Sequence, residues 1–197
     1  SRTDALIKKD IAKKLRLKSA SDVSAYKIIK KSLDARKKPV LFYIYSVVLD
    51  MKMPPKADKK FVSDYKKEKY KFPYAGAGNV AQKSGKRPVV VGFGPGGMFS
   101  ALLLARAGFK PIVLERGMDA DSRSRDVEEY WNGGKLKLNS NVQFGEGGAG
   151  TFSDGKLNTG VNNPRNYWVL EQFADAGAGA EILFDAKPHI GTDVLVT

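Results

Sequence analysis

Three features of this sequence combine residue types and spacings suited to chemistry on a phosphate-bearing ligand. The first is the turn Gly92-Phe93-Gly94-Pro95-Gly96-Gly97, followed by Met98. In a Gly-x-Gly-x-x-Gly turn the first glycine permits a tight bend after a strand. The second lets a diphosphate approach bare main chain, and the third lets helix and strand pack closely. A helix opening at this point presents free N–H groups and a partial positive charge to the phosphates. Glu115 follows Gly97 by 18 residues, where a carboxylate is placed to accept hydrogen bonds from an adenosine ribose. The combination predicts a dinucleotide site. An acid at this position repels a 2′-phosphate, so NADP is not expected at this turn.

The second feature is the loop Gly145-Glu146-Gly147-Gly148-Ala149-Gly150-Thr151-Phe152-Ser153-Asp154-Gly155. Four glycines between 145 and 150 allow main chain to lie against a planar or anionic ligand. A plain surface loop is the alternative. The third feature is a small set of polar residues near that loop. Lys156 is a candidate for stabilising negative charge on a bound ring, His189, the single imidazole, is a candidate acid or base, and Asp154 is a turn residue first and a catalyst second. Each has an ordinary reading as a surface or turn residue, and no catalytic residue is assigned. Without cysteine there is no thiol nucleophile, no redox pair and no thiolate metal site. One histidine excludes a His-rich metal centre.

These residues need elements to place them. Pro88-Val89-Val90-Val91 is a short apolar run of the buried parallel-strand type, and Pro111-Ile112-Val113-Leu114-Glu115 is a second. Between them Met98 to Ala107 reads as a helix ending at Gly108, which makes a βαβ unit. Further on, 126–131 and 166–176 have helical spacing and 181–184 reads as a strand. Upstream, 4–17 reads as an amphipathic helix with Leu6, Ile7, Ile11, Leu15 and Leu17 on its apolar side. Residues 26–33 and 39–51 read as a hairpin closed by a 34–38 loop. The predicted organisation is α/β. A basic α+β module spans 1–55, a Lys-rich linker containing Tyr74-Ala75-Gly76-Ala77-Gly78 spans 56–86, and the front part of a Rossmann-type domain spans 87–197. Two strands and one later strand fall short of a whole sheet, so that domain is expected to be incomplete.

Charge divides the chain at the same place. Residues 1–87 carry 24 Lys and Arg against 8 Asp and Glu, whereas 88–197 carry 10 against 13. A nucleic-acid role for the basic module would use these cations on phosphates, with Tyr26, Tyr43, Tyr45 or Tyr65 for stacking. The plainer reading is a solvated face, or docking to an acidic partner. The segment Ser32 to Lys38 is also a candidate to sit against a phosphate-bearing group. No apolar run is long enough to span a bilayer and no apolar signal core opens the sequence, so a cytoplasmic protein without membrane contact is expected.

The stretch from Arg87 to Met98, with Ile112-Val113-Leu114-Glu115-Arg116-Gly117, resembles the FAD site of the two-dinucleotide-binding flavoproteins. Asn141-Val-Gln-Phe-Gly-Glu-Gly-Gly-Ala-Gly-Thr-Phe-Ser-Asp-Gly-Lys-Leu157 and Lys187-Pro-His-Ile-Gly-Thr-Asp193 are similar to a bacterial family called FAD-dependent, or NAD(FAD)-utilising, dehydrogenases. Its members also carry a basic N-terminal module with a segment like Ser32 to Lys38. The resemblance implies an FAD-dependent oxidoreductase, with NAD(P)H or a small metabolite as second substrate. It implies that Gly147, Gly148, Ala149, Gly150 and Thr151 line the flavin and diphosphate. Arg116 and Gly117 would flank the adenosine, and Arg123 would reach a ribose or phosphate oxygen. Tyr130, Trp131, Phe144 and Phe152 are candidates to pack on a ring, with core packing the ordinary reading.

Overall fold

The structure is a computed structural model that describes residues 2–52, 54, 56–66, 70–72, 74 and 85–196. The glycine-containing stretch 75–78 of the expected linker lies outside the described residues. Among those described, the chain is a mixed α/β structure with two two-stranded sheets, one antiparallel and one parallel.

Helix α1 spans Arg2–Leu15. It turns Ile7, Ile11, Ala12 and Leu15 onto Val23 and Ala57, with Tyr26, Ile28, Tyr45 and Val47 packed around them. Leu6, assigned to the apolar side from spacing, lies outside this stripe and is 57% exposed. The helix ends where Arg16 takes a left-handed conformation. Its N–H donates to Lys13 O and that of Leu17 to Ala12 O, closing the orphan carbonyls of the last turn. Strands β1 (Lys27–Asp34) and β2 (Phe42–Val48) form the expected antiparallel hairpin, with Leu33 opposite Tyr43 and a bulge between Ile28 and Lys30. The connection is longer than the expected 34–38 loop. Asp34 accepts from the Arg36 N–H and binds its guanidinium, and Val40 N–H donates to Lys37 O, so the chain turns before pairing resumes.

Strands β3 (Val89–Val91) and β4 (Ile112–Leu114) are parallel and in register, Val89 opposite Ile112, with helix α2 (Pro95–Arg106) crossing between them. Helix α2 stops as predicted: Gly108 N–H donates to Ala105 O and Phe109 N–H to Leu104 O. The two strands were expected to be buried, and they are not. Val91 is 82% exposed and Leu114 54%, because the pair carries no third strand among the described residues.

Helix α3 spans Ala120–Trp131, twice the length read from spacing. Asp119 caps it by accepting from Ser122 N–H. Helix α4 spans Pro164–Asp175, capped by Asn163, and packs on α2 through Phe99, whose ring meets those of Trp168 and Phe173 edge-on. The strand expected at 181–184 is instead a 3-10 turn, Ala180–Leu183, with Ile182 buried inside it. The extended piece begins immediately after: Phe184 O accepts from Lys31 N–H, and Ala186 N–H donates to Lys31 O. A last short helix, α5, spans Thr192–Leu195. None of the described helices is long and apolar enough to cross a membrane.

Candidate functional site

The Gly-rich turn lies at the junction from β3 to α2, with Gly94 as the residue preceding the helix and Pro95 as its first. Pro95 has no N–H to leave unsatisfied, and the N–H groups of Gly96 and Gly97 fall in the first turn, where no intrahelical acceptor exists. A Cβ on Gly97 would overlap the Gly92 carbonyl. That glycine is therefore required for the helix to approach the strand so closely. Met98 N–H makes the first helical bond, to Gly94 O.

Glu115 follows β4 and points back across the turn. Its Oε2 accepts from Phe93 N–H at 2.6 Å and its Oε1 from Gly117 N–H at 2.8 Å. The Gly117 bond is the largest influence holding this carboxyl below its ordinary value; burial opposes it and the Phe93 bond adds to it. The carboxylate so expected beside a sugar also ties the Gly-rich turn to the residues after β4. Arg116 lies with its guanidinium 4.0 Å from the centre of the Phe144 ring.

The second Gly-rich loop closes on the first. Gly147 N–H donates to Phe93 O at 2.9 Å. A Cβ on Gly148 would lie 3.0 Å from Gly94 Cα, and one on Gly117 would overlap Gly145. The structure thus brings Gly92, Gly94, Gly97, Gly117, Gly145, Gly147, Gly148 and Glu115 to one place from three separate stretches of sequence. Ala149, Gly150 and Thr151 continue as a 3-10 turn, Gly148–Phe152.

Arg123 occupies a different place from the one expected. It has no solvent exposure, and all five guanidinium N–H groups are engaged within the protein. Nε donates to Asn141 O; Nη1 to Glu146 O and Thr151 Oγ1; Nη2 to Val142 O and Gly148 O. A fork of donors in fixed geometry suits a loop whose carbonyls converge, and it leaves none for a phosphate. Burial lowers its pKa, with the Glu115 charge acting the other way. Thr151, a second expected ligand contact, is likewise buried, its hydroxyl donating to Glu146 O.

Lys156 is also elsewhere in role: its ammonium pairs with the Asp154 carboxylate and both side chains are well exposed. His189 sits opposite Lys156 in an isolated antiparallel bridge. Of the aromatic candidates, Trp131 and Phe152 meet edge-on at 6.4 Å, and Phe152 lies under Arg123. In the basic module Tyr26 donates to Asp4 and Tyr45 packs on the core, whereas Tyr43 is 62% exposed and Tyr65 48%. Two contributors were missed from sequence. Glu146 accepts from Ala120 N–H at the start of α3, and Asn141 accepts from Gln143 and Phe144 N–H. Both lie in the 141–157 stretch, but a polar side chain turned onto nearby backbone has no spacing signature.

Residues 1–50 match the family model of a domain of unknown function, DUF8436. The matched stretch encloses α1, β1 and β2. The chain is 46% identical over 194 residues to an uncharacterized protein of Clostridium beijerinckii. That similarity takes in 96% of this chain and 36% of the relative, so the chain spans little more than a third of the length of the relative it matches.

Proposed function

We propose that the convergent glycine segments are a dinucleotide cradle and that the chain is the FAD-binding front part of a flavin-dependent oxidoreductase with a Rossmann-type arrangement. The single observation behind this reading is the joining of β3, the Gly-rich turn, α2 and β4 with Glu115 turned back onto Phe93 N–H. The donor set fits the group. Free amides at the start of α2 suit a diphosphate. Gly94 is bare main chain where a Cβ would stand between the loops. Glu115 stands at the end of β4 against the turn, where a carboxylate suits ribose hydroxyls.

In this reading Gly94, Gly96, Gly97 and Met98 hold the diphosphate and Glu115 the adenosine ribose. Arg116 and Gly117 flank the adenosine, and 147–150 approaches the diphosphate from the other side. Arg123 holds that second loop in shape, and does not touch the ligand. The flavin, when bound, supplies the hydride chemistry, with NAD(P)H or a small metabolite as the second substrate.

The test is the visible spectrum of the full-length protein, as purified and after addition of FAD. The expected result is a bound flavin band that is lost in Gly94→Val and Glu115→Arg variants. A colourless protein that leaves added FAD free overturns the reading.

A further inference from the structure

We propose that Lys31 and Asp185 are positioning residues through which the basic N-terminal module braces the second Gly-rich loop. The inference builds on the reading of that loop as part of the cradle.

The connection can be followed bond by bond. Lys31, in the middle of β1, donates its N–H to Phe184 O at 2.7 Å and accepts from Ala186 N–H at 2.8 Å. Its ammonium stands 3.2 Å from Asp185 Oδ1. That oxygen is buried and the Lys31 charge is what balances it. The same strap then reaches the loop. Leu157 N–H donates to Pro188 O and Ile190 N–H to Gly155 O, both at 2.9 Å. Gly155 is left-handed, with φ +72°, and a Cβ there would overlap the Ile190 carbonyl. Loop and strap therefore meet without any side chain between them. From Gly155 the order passes inward: its N–H donates to Ser153 Oγ, and Ser153 N–H to Gly150 O.

Ile182 and Ile190, on either side of the 184–186 contact, are buried, so the strap is anchored at both ends. Removing the Lys31 ammonium leaves a buried carboxylate oxygen without its counter-charge, a change that favours separation of the strap from β1. Loosening there reaches the loop through two hydrogen bonds, so the module acts on the cradle by way of the strap.

Amide hydrogen exchange on the intact protein tests this directly, with ADP as the probe ligand. In Lys31→Met and, separately, Asp185→Asn, exchange in the peptides containing Ser153, Leu157 and Ile190 is expected to quicken about five-fold or more while α1 and α2 keep their protection. ADP affinity falls in parallel, and Lys31→Arg restores both. Unchanged exchange at 153–157 in both variants overturns the brace, as does quickening that is equal in α1. If wild-type protein binds no ADP, the cradle reading fails, and the exchange result still decides whether the module braces the loop.

Discussion

Gly94 and Gly148 meet main chain to main chain. A Cβ placed on Gly148 would stand 3.0 Å from Gly94 Cα and 3.3 Å from Pro95 Cδ. Two glycine-rich segments far apart in sequence thereby form one surface with no side chain interposed, fastened by the bond from Gly147 N–H to Phe93 O.

The two glycines separate folding from binding. Gly94 has φ −74° and ψ −178°, open to any residue, and a Cβ there finds only ordinary contact at 3.8 Å. Gly94→Ala is expected to leave stability within about 0.5 kcal/mol while abolishing dinucleotide binding. Gly148 is left-handed at φ +60° and crowded, so Gly148→Val is expected to cost about 1–3 kcal/mol of stability as well. Urea denaturation and ADP titration of both variants check this. Unimpaired binding in Gly94→Ala contradicts the cradle.

Arg123 is expected to matter for the fold ahead of any ligand. Its removal takes away the donor on which the carbonyls of Asn141, Val142 and Gly148 rely, and leaves Glu146 O with the Thr151 hydroxyl. Arg123→Met should destabilise by about 3–5 kcal/mol. Arg123→Lys should recover little, since one ammonium cannot reach acceptors spread around a planar fork. Denaturation midpoints decide it; a loss confined to ligand affinity, with stability intact, would return Arg123 to the role of a ligand contact.

Gly155 and Gly160 make a matched pair. A Cβ on Gly155 overlaps Ile190 O at a left-handed position, whereas one on Gly160 meets nothing within 4 Å. Gly155→Ala is expected to lower stability by about 2–3 kcal/mol, whereas Gly160→Ala is expected to leave it unchanged or raise it by up to about 1 kcal/mol. Comparable losses in the two variants, measured by thermal unfolding, would mean that the strap and loop do not depend on this approach.

What could be read from the sequence followed local rules. The β3–α2–β4 order, the stop at Gly108 and the hairpin all rest on short-range patterns, and the structure has them. The start of α3 was missed because Asp119 caps a helix whose first turns lack apolar periodicity. The 181–184 segment is β-rich in composition, but Ile182 is buried by a 3-10 turn and the extended pairing begins at Phe184. Tertiary contact chose that register. Arg123 was given to a ligand by the family resemblance alone, and a charged side chain carries in the sequence no sign of the carbonyls that will surround it. The meeting of residues 92–97 with 145–150 is likewise a long-range fact, invisible to spacing.

The Glu115 carboxyl makes stability depend on acid. Amide donors at Gly117 and Phe93 stabilise its charged form, so its native pKa lies below the ordinary 4.5. For a group depressed on folding, the unfolded chain takes up the proton first. The carboxylate's contribution is therefore complete above the unfolded value and is lost as pH falls through the native one. The stability gap between wild type and Glu115→Gln should stay level from neutrality to about pH 5 and narrow below about 4.5. Nearby charge adds to this only weakly, since the Arg123 guanidinium stays protonated across the whole range. Urea denaturation of both proteins between neutral and acid pH measures the gap. Curves that remain parallel through the acid limb would show that the two amides do not hold the carboxylate.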